Sequence, residues 1–110
     1  MERLRHMVSA AEAIAGYVAR GRSAFDSDPA LRDAILYQVV VLGEAAKATL
    51  AADPSLEPML PGVEWRAMAR MRDRVTHRYW ATDPDVVWST ATRSVPELRE
   101  MLVNALERLV

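Results

Sequence analysis

The sequence predicts an all-α domain, an antiparallel four-helix bundle occupying residues 1–110 as one unit. Three observations carry this. Apolar residues recur at i, i+3, i+4 and i+7 through most of the chain. Two Asp-Pro pairs, Asp28-Pro29 and Asp83-Pro84, mark helix starts, because aspartate caps free N–H groups and proline fits the first helical position. Ala, Leu, Arg, Glu and Met abound, whereas four glycines and six prolines are too few for a turn-rich β protein. At 51% hydrophobic and 26% charged residues the chain is globular rather than disordered. With 110 residues it buries a workable core with little margin, so oligomerisation would help it.

The first helix is predicted over residues 3–20, with Leu4, Met7, Val8, Ala11, Ile14, Ala15 and Val18 on one face and Gly21 as its stop. Residues 21–27 read as a connection that Phe25, the lone phenylalanine, tucks onto the bundle. The second helix is predicted from Pro29 to Ala51. Between Ala34 and Leu42 only Gln38 is strongly polar. A helix apolar on most sides is buried on most sides. Either it is the central core helix or one of its surfaces meets another subunit. Glu44 and Lys47 lie on its more polar face.

Asp53-Pro54 and the segment from Pro58 to Gly62 mark a loop. A third helix starts near Val63 and turns Trp65, Met68, Met71 and Val75 to the core. The last helical region opens at Asp83-Pro84. It should kink or break near Pro96, which has no N–H to donate and restricts Val95. Leu98, Met101, Leu102, Ala105, Leu106 and Leu109 then run helically to the end.

Several chemistries find no footing. Without cysteine there is neither a disulfide nor a thiolate nucleophile, which suits a reducing, cytoplasmic setting. The opening residues lack the apolar core of a signal peptide, and no apolar run approaches the roughly 20 residues of a membrane span. Two distant histidines, His6 and His77, form no recognisable metal site, and no glycine-rich phosphate loop or nucleophile elbow is present. No cofactor and no metal are expected.

The net charge of −1 conceals a local asymmetry. From Arg66 to Arg78 there are five arginines (Arg66, Arg70, Arg72, Arg74 and Arg78) and one acid, Asp73, so the field of a near-neutral protein is directed at one patch. Asp73 and His77 are four apart and share a helix face, so the carboxylate can orient the imidazole. Arg72 lies about 140° around from His77 and about 7.5 Å along the axis. Its long side chain can still converge with the imidazole on one phosphate. Arginine holds phosphate and offsets transition-state charge, and histidine moves protons near neutral pH. These groups suit RNA cleavage without metal. One histidine does not easily serve as base and acid at once, whereas two copies across a dimer would share the work. Spacing alone favours a solvated arginine face and a structural histidine, and stops at a helical bundle with a basic patch.

The run Trp65-Arg66, Met71-Arg72-Asp73, His77-x-Tyr79-Trp80, Asp83, Val87-Trp88 resembles the HepT-like branch of the HEPN superfamily. So do Arg32-Asp33-Ala34-Ile35-Leu36-Tyr37, Leu42-Gly43-Glu44-Ala45-Ala46 and Val95-Pro96-Glu97-Leu98, and the likeness extends from about Leu4 to Leu106. The resemblance implies a HEPN-like helical bundle that dimerises and brings two Arg-x4-His motifs to a shared cleft. It implies a metal-independent endoribonuclease, the toxin of a type VII-like toxin–antitoxin pair, with transfer RNA as the suggested substrate class. The implied partner is an MntA-like minimal nucleotidyltransferase that silences the toxin by AMPylation of the motif tyrosine. Carried over by position, Arg72 and His77 are catalytic and Tyr79 is the modified residue. Arg70, Arg74 and Arg78 are then candidates for holding RNA phosphates. Asp73 supports the site, where many members carry asparagine, and adds negative charge beside it. The alternative is a non-catalytic nucleotide- or RNA-binding module that partners the same kind of nucleotidyltransferase.

Overall fold

Both Asp-Pro pairs start helices as their chemistry demands. The Asp28 carboxylate accepts the Ala30 N–H at 3.0 Å, and the Asp83 carboxylate accepts the Asp85 N–H at 2.8 Å. The computed structural model describes residues 2–77 and 83–109. Within them run α1 (Glu2–Val18), α2 (Arg22–Ser27), α3 (Pro29–Ala52), α4 (Leu56–Met59), α5 (Trp65–His77), α6 (Pro84–Ser89), a π-helical turn (Thr90–Ser94) and α7 (Val95–Leu109). Among the described residues there is no strand. Four long segments, α1, α3, α5 and the joined α6–α7, form the expected bundle.

The segment predicted as a plain connection between the first two long helices is instead the short helix α2. Gly21 permits it. Its φ of 92° lies in the left-handed region that L side chains rarely adopt. There its N–H closes the end of α1 on the Val18 carbonyl at 2.9 Å, and its carbonyl accepts the Phe25 N–H at 3.1 Å. Phe25 is buried, as expected. Its ring packs at 5.1 Å from Trp88 of α6. Above both rings lies the Arg22 guanidinium, 5.6 Å from the Phe25 centroid and 5.9 Å from that of Trp88. Arg22 also pairs with Asp26 and, across to α6, with Asp85. Cation, rings and carboxylates together fasten α2 to the start of α6.

α1 buries Leu4, Met7, Ala10, Ala11 and Ile14. The stripe faces α3 and α7. On α3, Leu31, Ile35, Leu36, Val39, Leu42 and Ala46 are buried, and Thr49, the one buried polar residue, donates its hydroxyl to the Ala45 carbonyl at 2.6 Å. α4 is a single turn inside the predicted middle loop. Leu60 and Val63 are buried just before α5, which begins at Trp65 rather than Val63.

The C-terminal kink has an identifiable cause. Pro96 cannot donate to the carbonyl four residues back, and its ring would crowd that carbonyl. The chain widens instead: the Val95 N–H reaches the Thr90 carbonyl five residues back. The break expected near Pro96 is therefore a wide turn that joins α6 to α7.

The molecule measures 41 × 27 × 19 Å. A thickness of 19 Å is about two helix diameters. α3 packs between α1 and α5, yet two layers cannot enclose it, and Tyr37 on its outer face is 65% exposed. One expectation needs correction. By length and composition α3 does qualify as a membrane span. Its buried face forms the middle of the core.

Candidate functional site

α3 and α5 come into close contact where Gly43 meets Arg72. A Cβ built on Gly43 would stand 2.1 Å from the Arg72 Cβ and 2.8 Å from the Met68 backbone oxygen. Only a residue without a side chain allows the two backbones this near, and the Arg72 stem lies directly on the α3 backbone. The position of Arg72 is thus fixed from below before its guanidinium makes any contact.

The guanidinium then meets two carboxylates. Its Nε is buried and pairs with Glu44, the residue after the glycine. Its Nη1 donates to Asp73 Oδ1 at 3.0 Å. The same oxygen accepts from Lys47 Nζ at 3.1 Å. Glu44, Lys47, Arg72 and Asp73 form a charge-balanced quartet across the α3–α5 seam. Hydrogen bonds from Lys47 first and Arg72 second hold the Asp73 carboxyl below the usual carboxylate range. One turn further on, the Thr76 hydroxyl donates back to the Arg72 carbonyl at 2.8 Å.

His77 is the last residue of α5 and is exposed. Among the described residues it has no hydrogen-bond partner, so the expected pairing with Asp73 is not made. A cation from the neighbouring helix outcompetes an imidazole four residues along the same helix, and the carboxylate turns to Lys47. Arg70 and Arg74 are also exposed and form no ion pair among the described residues. Arg66 differs: it is held by both oxygens of Glu57, at 2.8 and 3.0 Å. Arg78 and Tyr79, the other two sequence-predicted site residues, lie outside the described residues.

Sequence reasoning placed Glu44 and Lys47 on a polar face of α3 but not in the site. A glycine followed by an acid and a base three residues apart, just after the apolar run of residues 39–42, was the available signal. A separate pocket of about 160 Å³, lined by Val39, Leu42, Met68, Met71, Leu98 and Met101 among others, shares no residue with the quartet.

The depressed Asp73 carboxyl gives a pH prediction with a definite sign. Its pairing contributes stability that is complete above the unfolded carboxyl pKa of about 4 and is lost as pH falls through the lower folded value. Thermal unfolding from pH 7 to pH 3 should therefore show the native chain ahead of Asp73→Asn by a constant margin above about pH 5, narrowing below about pH 4. A margin that stays constant to the acid end would show that the pairing adds nothing.

The sequence profile of the Ribonuclease HepT-like family matches residues 7–105. Among curated proteins, the chain is 35% identical over 75 residues to the probable ribonuclease HepT of Thermococcus cleftensis, covering 68% of this chain and 66% of that one. It is 27% identical over 84 residues to a protein of Caldanaerobacter subterraneus provisionally named an RNase, covering 76% and 72%. A Methanocaldococcus jannaschii protein, named a gamma-glutamylcyclotransferase and provisionally an RNase, is 24% identical over 107 residues, 96% of this chain but 47% of that one. No solved structure matches the chain at a significant level.

Proposed function

Because the chain belongs to the Ribonuclease HepT-like family, we propose that it is a metal-independent endoribonuclease whose site is built on Arg72 and His77. The observation that carries this reading is one helix that anchors an arginine at the α3 seam and ends in an exposed histidine, with Arg70 and Arg74 exposed beside it, all three without a hydrogen bond or ion pair among the described residues. These two arginines hold the RNA backbone without reading bases. Arg72 offsets the charge that builds on the phosphate oxygens. His77 takes the 2′-hydroxyl proton, the 2′-oxygen attacks phosphorus, the bond to the 5′-oxygen breaks, and a proton is returned to that oxygen. The products are a 2′,3′-cyclic phosphate and a 5′-hydroxyl end. Transfer RNA is the proposed substrate class.

The proposal includes a homodimer, in which two copies of His77 divide the roles of base and acid. The outer face of α3 around Tyr37 supports it, because an aromatic residue exposed on an apolar helix among the described residues favours a second copy there. It also includes a toxin role, with an MntA-like nucleotidyltransferase as antitoxin. Transfer of AMP from ATP to the Tyr79 hydroxyl, with loss of pyrophosphate, would set an anionic phosphate two residues from His77. That group repels RNA and competes for the arginines.

A second reading is favoured by one observation: Arg72 is already neutralised by Glu44 and Asp73, as in an interaction module that binds without cutting. Expression of the chain alone, beside His77→Ala, separates the two. New RNA ends and arrested growth with the native chain only are the expected result. Soluble native chain that neither cuts RNA nor slows growth would leave the binding module as the better reading.

A further inference from the structure

The Arg72 side chain has five N–H donors, and α3 has a claim on its orientation. Nε is buried, and the Glu44 carboxylate meets it as an ion pair. Asp73 takes one proton of Nη1. Among the described residues the remaining three donors, on the outer nitrogens, are unclaimed and open to a ligand. A guanidinium is planar, so fixing Nε fixes the plane and therefore the direction of those three donors. Gly43 beneath the stem sets how deep the group sits, and Glu44 beside it sets its rotation. Lys47 donates to the same Asp73 oxygen as Nη1.

We infer that Glu44 is a positioning residue: its carboxylate holds Arg72 by the buried Nε and so aims the outer nitrogens of the guanidinium at the scissile phosphate. This rests on the ribonuclease reading of Arg72. Glu44 does not touch RNA. Its contribution is orientation, which matters most when the phosphate reaches its transition state, so kcat should respond more than KM.

Two substitutions separate reach from charge. Glu44→Gln keeps the length and an oxygen acceptor but removes the charge. Glu44→Asp keeps the charge but withdraws it by one methylene. Full-length native, E44Q and E44D proteins are compared on one defined RNA. The expected result is E44Q within about threefold of native, and E44D lower in kcat by about tenfold or more with KM nearly unchanged. E44D at the native rate, or E44Q falling as far as E44D, would overturn the inference. A second readout needs no cleavage. In ¹⁵N-labelled protein the Arg72 Nε–H should exchange slowly in native and E44Q and rapidly in E44D. Equal exchange in all three also overturns it. A native chain that fails to cut while the exchange pattern holds would remove the ribonuclease reading and leave the Glu44 hold on Arg72 standing.

Discussion

Replacing Arg72 by alanine is expected to lower RNA cleavage by about a thousandfold while the bundle stays folded, the scale seen when one charge-stabilising donor is removed from a transition state. The fold survives because the alanine Cβ still occupies the contact with Gly43, the part of Arg72 that packs. What is lost is the guanidinium, which lies between the partly exposed carboxylates of Glu44 and Asp73, where water can take over their solvation. Arg72→Lys should recover little. A lysine ammonium cannot keep the buried ion-pair contact of Nε with Glu44 and also present a planar pair of donors to phosphate. The measurement is a single-turnover cleavage rate for native, R72A and R72K proteins, with circular dichroism as the control for fold. A folded R72A that cuts within tenfold of native would move the site away from α5. Lysine at the native rate would show that charge suffices and that the fork held by Glu44 has no role.

The four long helices were legible because each has a simple local cause. Asp28-Pro29 and Asp83-Pro84 act within a turn of their own position, and the stripe of Leu4, Met7, Ala11 and Ile14 follows from helical period alone. The kink near Pro96 was legible for the same reason. Its form, a wide turn that keeps α6 and α7 joined, was not, because that depends on how Trp88, Ala91 and Val95 pack. The helix α2 was missed because six residues rich in Ser and Asp have little helical preference. Tertiary contacts of Arg22 and Phe25 supply what propensity lacks. In the site, Arg72, Asp73 and His77 were visible as a motif on one helix. The quartet was not, since Lys47 meets Asp73 across 26 residues of sequence. Spacing along one helix pointed Asp73 at His77; a cation from the next helix redirected it.

Gly43→Ala is expected to destabilise the protein, although alanine is the better helix former. In an open helix the exchange would stabilise by about 1 kcal/mol. Here the new Cβ would lie 2.1 Å from the Arg72 Cβ and 2.8 Å from the Met68 carbonyl oxygen. Neither atom belongs to a flexible side-chain end, so no rotamer change relieves the clash and α5 must move off α3. Overpacking of this kind costs about 1–3 kcal/mol, which equals or exceeds the propensity gain. The α3–α5 seam also carries the site, so displacement of α5 moves Arg72 relative to Glu44, and an error of about 1 Å in a catalytic group can cost about a hundredfold in rate. Gly16→Ala is the matched control, because Gly16 is an exposed helical glycine with nothing within 4 Å of its would-be Cβ. Thermal unfolding should show G16A at or above the native midpoint and G43A below it. The single-turnover assay should show cleavage lost in G43A and kept in G16A. If both variants gained stability equally, the close approach of α3 and α5 at Gly43 would be wrong, and with it the physical basis for the placement of Arg72.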